Sequence, residues 1–219
     1  MSAIIDVFPI LMKGLKITLT VLVCSAVLSY FIAIFAGLCR LSRFWIVRTI
    51  TTVYVEIFRG TSLIVQLFWF YYAIPMLFGF DIGSNLIAGV LAISLNYGAY
   101  MSEIVRGSII AVDDGQREAS TALNLSSFDR MRLIIFPQAF RMMLPEFSNY
   151  LIQMLKATSL VSLIGMMDIL YFADRYLNSN PSATFTTFSL VLIFYFIMAL
   201  PLIYMSKKAE KFSKKGVAK

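Results

Sequence analysis

Residues 115–127 read GQREASTALNLSS and form a polar segment between long hydrophobic stretches of the chain. Asp113 and Asp114 precede this segment. Asp is a preferred helix N-cap, and it places negative charge at the positive end of the helix dipole. The residues that follow favour helix, with apolar side chains recurring on one side. The pattern therefore predicts a short helix over 116–123.

A second helix is predicted directly after the first. Asn124 tolerates the left-handed backbone conformation that ends helices. Ser126 and Asp129 have the spacing of a capping pair at a new helix start. The second helix is expected over 130–136, and Pro137 is expected to stop or bend it because proline has no amide proton to donate. The result is a predicted helix-turn-helix with a polar surface.

The chain around this segment has the composition of a membrane protein. Of 219 residues, 59% are hydrophobic and 14% are charged, and the mean hydropathy is +0.81. Soluble domains carry roughly 25% charged residues. A helix needs about 20 mainly apolar residues to cross a bilayer, so the length suits a single all-α membrane domain over 1–219. Five predicted spans cover residues 17–39, 50–78, 84–105, 142–166 and 184–206.

Positive charge orients the predicted bundle. Arginine is concentrated in the connection after the first span and in the segment 106–141, and lysine in the tail after 206. The alternate connections, 76–85 and 165–183, contain a single basic residue, Arg175. By the positive-inside rule, the N-terminus is expected outside and the C-terminus in the cytoplasm. The lysine tail is interpreted as a topology anchor, and a lipid or nucleic-acid surface is the less simple alternative.

The residue content disfavours several kinds of chemistry. The chain has no histidine, which excludes histidine metal sites and Ser-His-Asp catalysis. Cys24 and Cys39 would lie about 22 Å apart along a helix, too far for a disulfide, and are interpreted as small apolar residues. The sequence has no Gly-x-x-x-x-Gly-Lys-Ser/Thr phosphate loop. We therefore expect no enzyme activity, no metal or cofactor and no ATP site on this chain.

The predicted helix-turn-helix also carries a family pattern. Glu118-Ala119-Ser120, Leu123-Asn124 and Ile134 with Phe136-Pro137 resemble the EAA loop of the membrane subunits of bacterial ABC importers. Ser120, Asn124 and Phe136 replace the Ala, Gly and Leu of the family pattern. The resemblance implies a type I importer permease in which a cytoplasmic loop over about 107–137 couples to an ATPase. The coupling residues that it implies are Gly115, Glu118, Ala119, Ser120, Ala122, Leu123, Asn124 and Pro137.

Three further segments resemble the polar amino-acid uptake branch of this family: YVEIFRGT at 54–61, GAYMSEIVRG at 98–107 and LKATSL at 155–160. RGTS at 59–62, QLFWF at 66–70 and EASTALN at 118–124 are similar to ectoine and hydroxyectoine permeases. The resemblance implies a bacterial inner-membrane protein with several partners. These are a second permease subunit, identical or paralogous, two ATPases that bind ATP and Mg, and an extracytoplasmic solute-binding protein. Membrane lipid surrounds the chain, and nucleic acid is not expected.

Charged residues inside the predicted spans need partners or water. Glu56 and Arg59 are three residues apart, and so are Glu103 and Arg106, which puts each pair on one helix face. We interpret both as structural ion pairs. Lys156 has no carboxylate within one turn and is predicted to lie buried among Thr158, Ser159 and Ser162. It is either a ligand for a substrate carboxylate or a structural partner of another span.

The candidate residues of a substrate pathway are Lys156, Thr158, Ser159, Gln66, Asn96 and Tyr97. The function that these features favour is import of a polar amino acid or an amino-acid-like compatible solute, with ectoine or hydroxyectoine as the leading substrate. Glutamine, arginine, histidine or cystine are alternative substrates. An ion-coupled carrier, a channel subunit or a non-transporting scaffold are alternatives of other classes, although the sequence has no repeat typical of such carriers.

Overall fold

The computed structural model describes residues 2–79 and 84–214, and the regular elements in these ranges are all helices. The helices are α1 (Ser2–Cys39), α2 (Trp45–Gly60), α3 (Leu63–Phe78), α4 (Asn85–Ile110), α5 (Asp114–Ala122), α6 (Ser127–Ile164), α7 (Ile169–Ser179) and α8 (Thr184–Lys214). Part of the predicted outer connection, 80–83, and the tail lysines Lys215 and Lys219 lie outside the described residues.

The α1 helix is longer than the first predicted span. It runs unbroken for 38 residues with Pro9 inside it, about 57 Å at 1.5 Å per residue. Its first turns do not extend freely into solvent. Val7 and Leu11 are fully buried against Ile169 and Ala173 of α7. The helix therefore begins well before residue 17 because α7 provides an apolar surface for it.

The second predicted span, 50–78, is not one straight helix but two helices with a sharp bend between them. α2 ends at Gly60, Thr61 and Ser62 have extended backbone, and α3 then leaves at 108° to α2. Each piece alone is too short for a bilayer of about 30 Å, which needs roughly 20 helical residues. Hydropathy could not reveal the break, because both pieces are apolar.

The central helix is α4, which packs against α1 along most of its length. The two helices approach closely at small residues. A Cβ on Gly98 would stand 2.6 Å from Ile32, and a Cβ on Gly37 would stand 2.6 Å from Val105. Ser29 donates a hydrogen bond to the carbonyl of Ser94 on the facing helix. Close packing of this kind is typical of membrane helices, where small residues allow dispersion contacts.

The second helix of the predicted coupling loop does not stop at Pro137. α6 runs from Ser127 to Ile164 as one helix, with a π segment over Arg130–Ile135 just before the proline. A π turn has one more residue than an α turn, so the helix can pass Pro137 without the hydrogen bond that proline lacks. The fourth predicted span, 142–166, is therefore the later part of a longer helix. This helix ends in a 3₁₀ segment at Gly165, whose φ is +75°.

Two described helices are long and apolar enough to cross a membrane by themselves, over Ile5–Cys39 and Pro181–Ser213. The number rises to four if each bent pair, α2 with α3 and α6 with α7, is one span. α4 has 26 residues, about 39 Å, but its buried face is rich in small and polar residues. The count of five spans and the outside position of the N-terminus stay predictions.

Candidate functional site: a polar cleft and an exposed loop

A polar cleft of about 370 Å³ opens where the break between α2 and α3 faces α4 and α6. Its lining residues are Thr61, Ser62, Leu63, Asn96, Tyr97, Tyr100, Tyr150 and Gln153. Two of the predicted pathway residues, Asn96 and Tyr97, line this cleft. Lys156, Thr158, Ser159 and Gln66 are not among the lining residues.

The last turn of α2 is capped by side chains. Asn96 and Gln66 each donate a hydrogen bond of 2.9 Å to the carbonyl oxygen of Phe58, and the Tyr100 hydroxyl donates one of 3.0 Å to the carbonyl of Arg59. The last carbonyls of a helix have no partner within it, so these bonds stabilise the end of α2. Gln66 also donates to the Thr61 hydroxyl at 2.7 Å. The geometry therefore assigns Gln66 and Asn96 a structural task in addition to any contact with solute.

Three tyrosines form one wall of the cleft. The rings of Tyr97 and Tyr150 lie 6.1 Å apart edge to face, and those of Tyr100 and Tyr150 lie 6.3 Å apart and stacked. The Arg59 guanidinium lies 5.5 Å from the centre of the Tyr100 ring, within the range of a cation–π contact. The cleft is thus lined by aromatic rings and hydroxyl groups, and the guanidinium of Arg59 lies beside it against the Tyr100 ring.

Glu103 is the centre of a charge cluster beside the cleft. Its carboxylate accepts hydrogen bonds from Arg40, from Arg59 at 3.1 Å and from Arg106 at 2.9 Å. The Glu103–Arg106 pair is present as the spacing predicts. The prediction of a Glu56–Arg59 pair is wrong, because Arg59 turns to Glu103 and Glu56 is exposed. Three guanidinium groups on one carboxylate leave an excess of positive charge.

Lys156 is exposed, which contradicts the prediction of a buried ammonium. The neighbouring hydroxyls bond to backbone carbonyls. Thr158 is fully buried and donates to the carbonyl of Leu155 at 2.7 Å, and Ser159 donates to the carbonyl of Lys156 itself at 2.8 Å. Short hydroxyl side chains satisfy backbone carbonyls within their own helix, so they leave the ammonium group facing outward.

Lys156 belongs to a polar stripe on α6. Glu146, Gln153 and Lys156 are all exposed, and their separations of seven and three residues put them on one face of the helix. Tyr150 lies on the same face and lines the cleft. In a helix of a membrane protein, such a stripe is costly against lipid. It therefore indicates a face that meets water or another protein.

The predicted turn after the first loop helix has the expected backbone. The side chain of Asp113 accepts a hydrogen bond of 2.8 Å from the amide of Gly115 at the start of α5. Asn124 has a φ of +55°, the left-handed conformation. Ser126 accepts a bond of 3.1 Å from the amide of Asp129 and caps α6. Local capping chemistry thus determines where each helix begins and ends.

The loop is also tied to the rest of the protein. Arg117 donates to the carbonyl of Ile109 at 2.7 Å, and Arg130 donates to the Thr121 hydroxyl at 2.7 Å. Ser120 is fully buried, and its hydroxyl donates to the carbonyl of Arg117. These hydrogen bonds attach α5 to the end of α4 and to the start of α6.

One side of the loop remains open. Gly115, Glu118, Ala119, Ala122, Asn124 and Pro137 are exposed, as are the large apolar residues Leu123, Phe128 and Leu133. Phe128 and Leu123 are about seven-tenths exposed, at 71% and 72%. A patch of exposed apolar side chains is typical of a surface that meets another protein or a membrane.

Sequence reasoning missed Asp168, which lies between α6 and α7. It is fully buried, and its carboxylate accepts a hydrogen bond of 2.9 Å from the amide of Tyr171. Burial raises the pKa of the Asp168 carboxyl to about 6, although the backbone bond from Tyr171 acts in the opposite direction. Asp168 immediately precedes the first residue of α7, the position at which an Asp is a recognisable N-cap in the sequence. Its burial depends on α1 and could not be read from the sequence.

Comparison with known proteins links this architecture to a family. Residues 29–207 match the family described as binding-protein-dependent transport system inner membrane component. The chain is 36% identical over 213 residues to an arginine transport system permease of Bacillus subtilis, covering 96% of this chain and 95% of the relative. It is 35% identical over 210 residues to a glutamine transport system permease of Escherichia coli, with coverage of 96% and 95%.

Solved structures agree with the sequence relatives. A crystal structure of an amino acid ABC transporter with histidines superposes with a TM-score of 0.85 at 33% identity, covering 96% of each chain. An inward-facing methionine ABC transporter has the same fold, with a TM-score of 0.74 at 17% identity over 97% of this chain and 99% of that one. The fold is that of a type I ABC importer permease. The chain belongs to the family of inner membrane components of binding-protein-dependent transport systems.

Proposed function

We propose that the chain forms half of the pathway through which an ATP-driven importer moves a polar α-amino acid into the cytoplasm. The observation that carries this proposal is the polar cleft beside the α2–α3 break, which continues into the polar stripe of α6. A membrane helix has no reason to expose Glu146, Gln153 and Lys156 unless water, solute or a partner faces them.

The chemistry of the cleft suits a zwitterion. Arg59 supplies a guanidinium group that a carboxylate can bind in a forked geometry. Its partner within the chain, Glu103, is shared with Arg40 and Arg106, so one carboxylate does not neutralise all three arginines. The three tyrosine rings offer faces that attract an ammonium group. Lys156 adds a second cation further along the same face of α6, and we propose that it attracts the carboxylate on its way to the cleft.

The relatives favour glutamine, arginine or histidine over a compatible solute. The curated relatives above are named for arginine and glutamine transport, and the similar transporter structure contains histidines. Ectoine and hydroxyectoine are therefore the second choice of substrate, although ectoine also carries a carboxylate that the same cations would attract.

The exposed loop is proposed as the docking site of the ATPase. Leu123, Phe128 and Leu133 would fill an apolar groove of that partner, and Glu118 would pair with one of its cations. The complete importer would contain two permease subunits, identical or paralogous, two ATPases with ATP and Mg, and an extracytoplasmic binding protein. ATP binding would close the ATPase pair, and the loops would carry this movement to α4 and α6 and shift the bundles to the outward-open state.

Reconstitution tests the proposal. Proteoliposomes that contain the chain with its neighbouring permease, ATPase and binding protein should accumulate glutamine, arginine or histidine when ATP is inside. Uptake of ectoine is measured in the same proteoliposomes for comparison. Uptake that needs no ATP but follows an ion gradient would support a carrier instead, and ATP-driven uptake of ectoine alone would overturn the choice of amino acid.

A further inference from the structure

A second groove lies on the other side of α6. It has a volume of about 390 Å³ and lies between α1, α6 and α8. The residues that line it are almost all apolar: Tyr30, Ile34, Phe140, Leu144, Phe147, Ser148, Leu151, Leu202 and Met205. Leu144 and Leu151 are two residues away from Glu146 and Gln153, which is a rotation of about 200° around the helix. The groove therefore faces away from the polar stripe.

The few polar atoms of the groove are already satisfied. The Tyr30 hydroxyl donates to the carbonyl of Phe147 at 3.4 Å, and the Ser148 hydroxyl donates to the carbonyl of Leu144 at 2.9 Å. The Tyr30 and Phe147 rings stack at 5.3 Å and form the floor. A polar solute would find no free donor or acceptor here and would lose its hydrogen bonds to water. A hydrocarbon chain has no hydrogen bonds to lose.

The groove continues into surface that suits lipid. Phe31 and Phe35 on α1, and Tyr204 on α8, are each about seven-tenths exposed, at 70%, 72% and 68%. Each is the sequence neighbour of a residue that lines the groove, namely Tyr30, Ile34 and Met205. An acyl chain could therefore enter from the bilayer over apolar side chains.

The mouth of the groove is basic. Arg141 lies one turn before Leu144 on α6, and Lys208 lies one turn after Met205 on α8. The Arg141 guanidinium lies 5.5 Å from the centre of the Phe212 ring, so α6 contacts the last turns of α8 here. In the described part of the chain, neither Arg141 nor Lys208 has a carboxylate within ion-pair distance. Glu210 is the nearest acid in the sequence, and its position turns it about 200° away from Lys208.

We infer that this groove is a binding site for one anionic phospholipid of the leaflet at this end of the bundle. One acyl chain occupies the groove over Tyr30 and Phe147, and the phosphate lies between Arg141 and Lys208. Long basic side chains beside apolar surface extend their charge to the phosphate level, and basic pockets between membrane helices on the cytoplasmic side select anionic headgroups. The site does not depend on the identity of the transported solute.

Native mass spectrometry of the full-length chain tests this inference. The protein is taken from vesicles of equal parts phosphatidylglycerol and phosphatidylcholine, and retained lipids are counted. The wild type should retain phosphatidylglycerol preferentially. Arg141→Gln and Lys208→Gln should each weaken that retention about fivefold, the effect of one basic group near an anionic surface. Lys13→Gln, at an exposed position in the first turns of α1, and Arg132→Gln are matched controls that should change it less than twofold.

A second pair of variants tests the apolar part. Leu144→Trp fills the groove and should remove one retained lipid of either headgroup, whereas Leu133→Trp on the loop should remove none. Equal retention of the two lipids by the wild type would overturn the inference, and so would equal losses from the control variants. Ser148→Cys, in a chain with Cys24 and Cys39 replaced by Ala, would also overturn it if the cysteines of two copies cross-linked efficiently, because a second copy would then occupy the groove.

Discussion

Asn96 of α4 donates a hydrogen bond of 2.9 Å to the carbonyl oxygen of Phe58, two residues before α2 ends. Gln66 of α3 donates to the same oxygen at 2.9 Å. A carbonyl oxygen has two lone pairs, so both bonds can exist together. The break that opens the polar cleft is thus held from both sides, by the helix that follows it and by the central helix of the bundle.

Removing both donors should cost more than the sum of the single changes. Asn96→Leu or Gln66→Met alone leaves the Phe58 carbonyl with one partner and should lower the free energy of unfolding by about 1 kcal/mol. The double variant leaves a partly buried carbonyl without either side-chain partner and should cost about 3 kcal/mol. Thermal unfolding in detergent, followed by tryptophan fluorescence, measures the difference. Additive losses would contradict the shared role.

Removing the charge of Glu103 should lower the stability of the fold, whereas removing that of Glu56 should not. Glu103→Gln leaves Arg40, Arg59 and Arg106 close together without their shared carboxylate. Since the cluster is only partly buried, the expected loss is about 1–2 kcal/mol, less than for a fully buried pair. Glu56→Gln is the matched control at an exposed position and should stay within about 0.5 kcal/mol.

A second readout separates charge from packing. Because the guanidinium groups repel one another when the carboxylate is gone, the loss in Glu103→Gln should shrink as salt screens them. The added change Arg40→Gln should restore part of the stability. A loss that is the same at low and high salt, and that Arg40→Gln does not relieve, would mean that Glu103 acts through packing alone.

The contacts of the charge cluster show which interactions can be predicted from the sequence and which cannot. Glu103 and Arg106 are three residues apart on one helix, so their pairing follows from helix geometry. Asn124 and Ser126 act through neighbouring backbone groups, and their roles could be predicted for the same reason. Arg40 reaches Glu103 across 63 residues of sequence, and Asn96 reaches Phe58 across 38. Contacts of this kind depend on how helices pack, which hydropathy and spacing do not encode.

The same limit explains why neither the break at the end of α2 nor the exposure of Lys156 could be predicted. Hydropathy treats 50–78 as one apolar stretch because both helices are apolar, and one of the side chains that cap Phe58, Asn96, lies 38 residues away in the sequence. The hydroxyls near Lys156 are close in sequence, but each bonds to a carbonyl of its own helix. A polar neighbour in the sequence is therefore weak evidence for a contact when that neighbour can bond to the backbone.

Glu118→Lys should uncouple transport without unfolding the chain. Glu118 is exposed on the open side of the loop, so a charge reversal costs little stability but would repel a cation of the docked ATPase. We expect association with the ATPase to weaken at least tenfold, measured by co-purification, and ATP-driven uptake to disappear. Glu210→Lys is the matched reversal on exposed α8. Normal association and uptake in Glu118→Lys would contradict docking through this surface.

The apolar part of the same surface should behave in parallel. Phe128→Ser and Leu123→Ser remove side chains that are about seven-tenths exposed, so the isolated protein should keep its melting temperature. Burial of such side chains in a partner contributes about 1.5–3 kcal/mol each, so ATPase association should weaken by about tenfold or more. A lower melting temperature with unchanged association would assign these residues to folding.

Lys156→Ala should impair uptake of solutes that carry a carboxylate. The exposed ammonium on the polar stripe is expected to attract the solute, so the apparent KM should rise several-fold, and Lys156→Arg should restore it. Lys13→Ala removes the same charge from exposed α1 and serves as the control. If Lys156→Ala lowers the melting temperature and leaves KM unchanged, Lys156 is a structural partner of a neighbouring subunit.

Asp168 should make stability depend on pH in the acidic range. Burial raises the pKa of its carboxyl from 3.8 to about 6 in the folded chain, so the folded state binds the proton more tightly than the unfolded state does. The stabilisation is fully present below about pH 4 and is lost as the pH rises through about 6. Two units of pKa correspond to about 3 kcal/mol at most. The negative charge of Asp174, which lies nearby, also raises the pKa of the Asp168 carboxyl.

Asp168→Asn isolates this contribution. Asn keeps the N-cap bond to the Tyr171 amide but cannot ionise, so the variant should melt higher than the wild type at pH 7.5 and at about the same temperature at pH 4. Asp6→Asn, at an exposed position on α1, should leave the difference between the two pH values unchanged. A variant that is less stable than the wild type at pH 7.5 would indicate that the ionised carboxylate has a favourable partner, such as a cation or water, which offsets the cost of its burial.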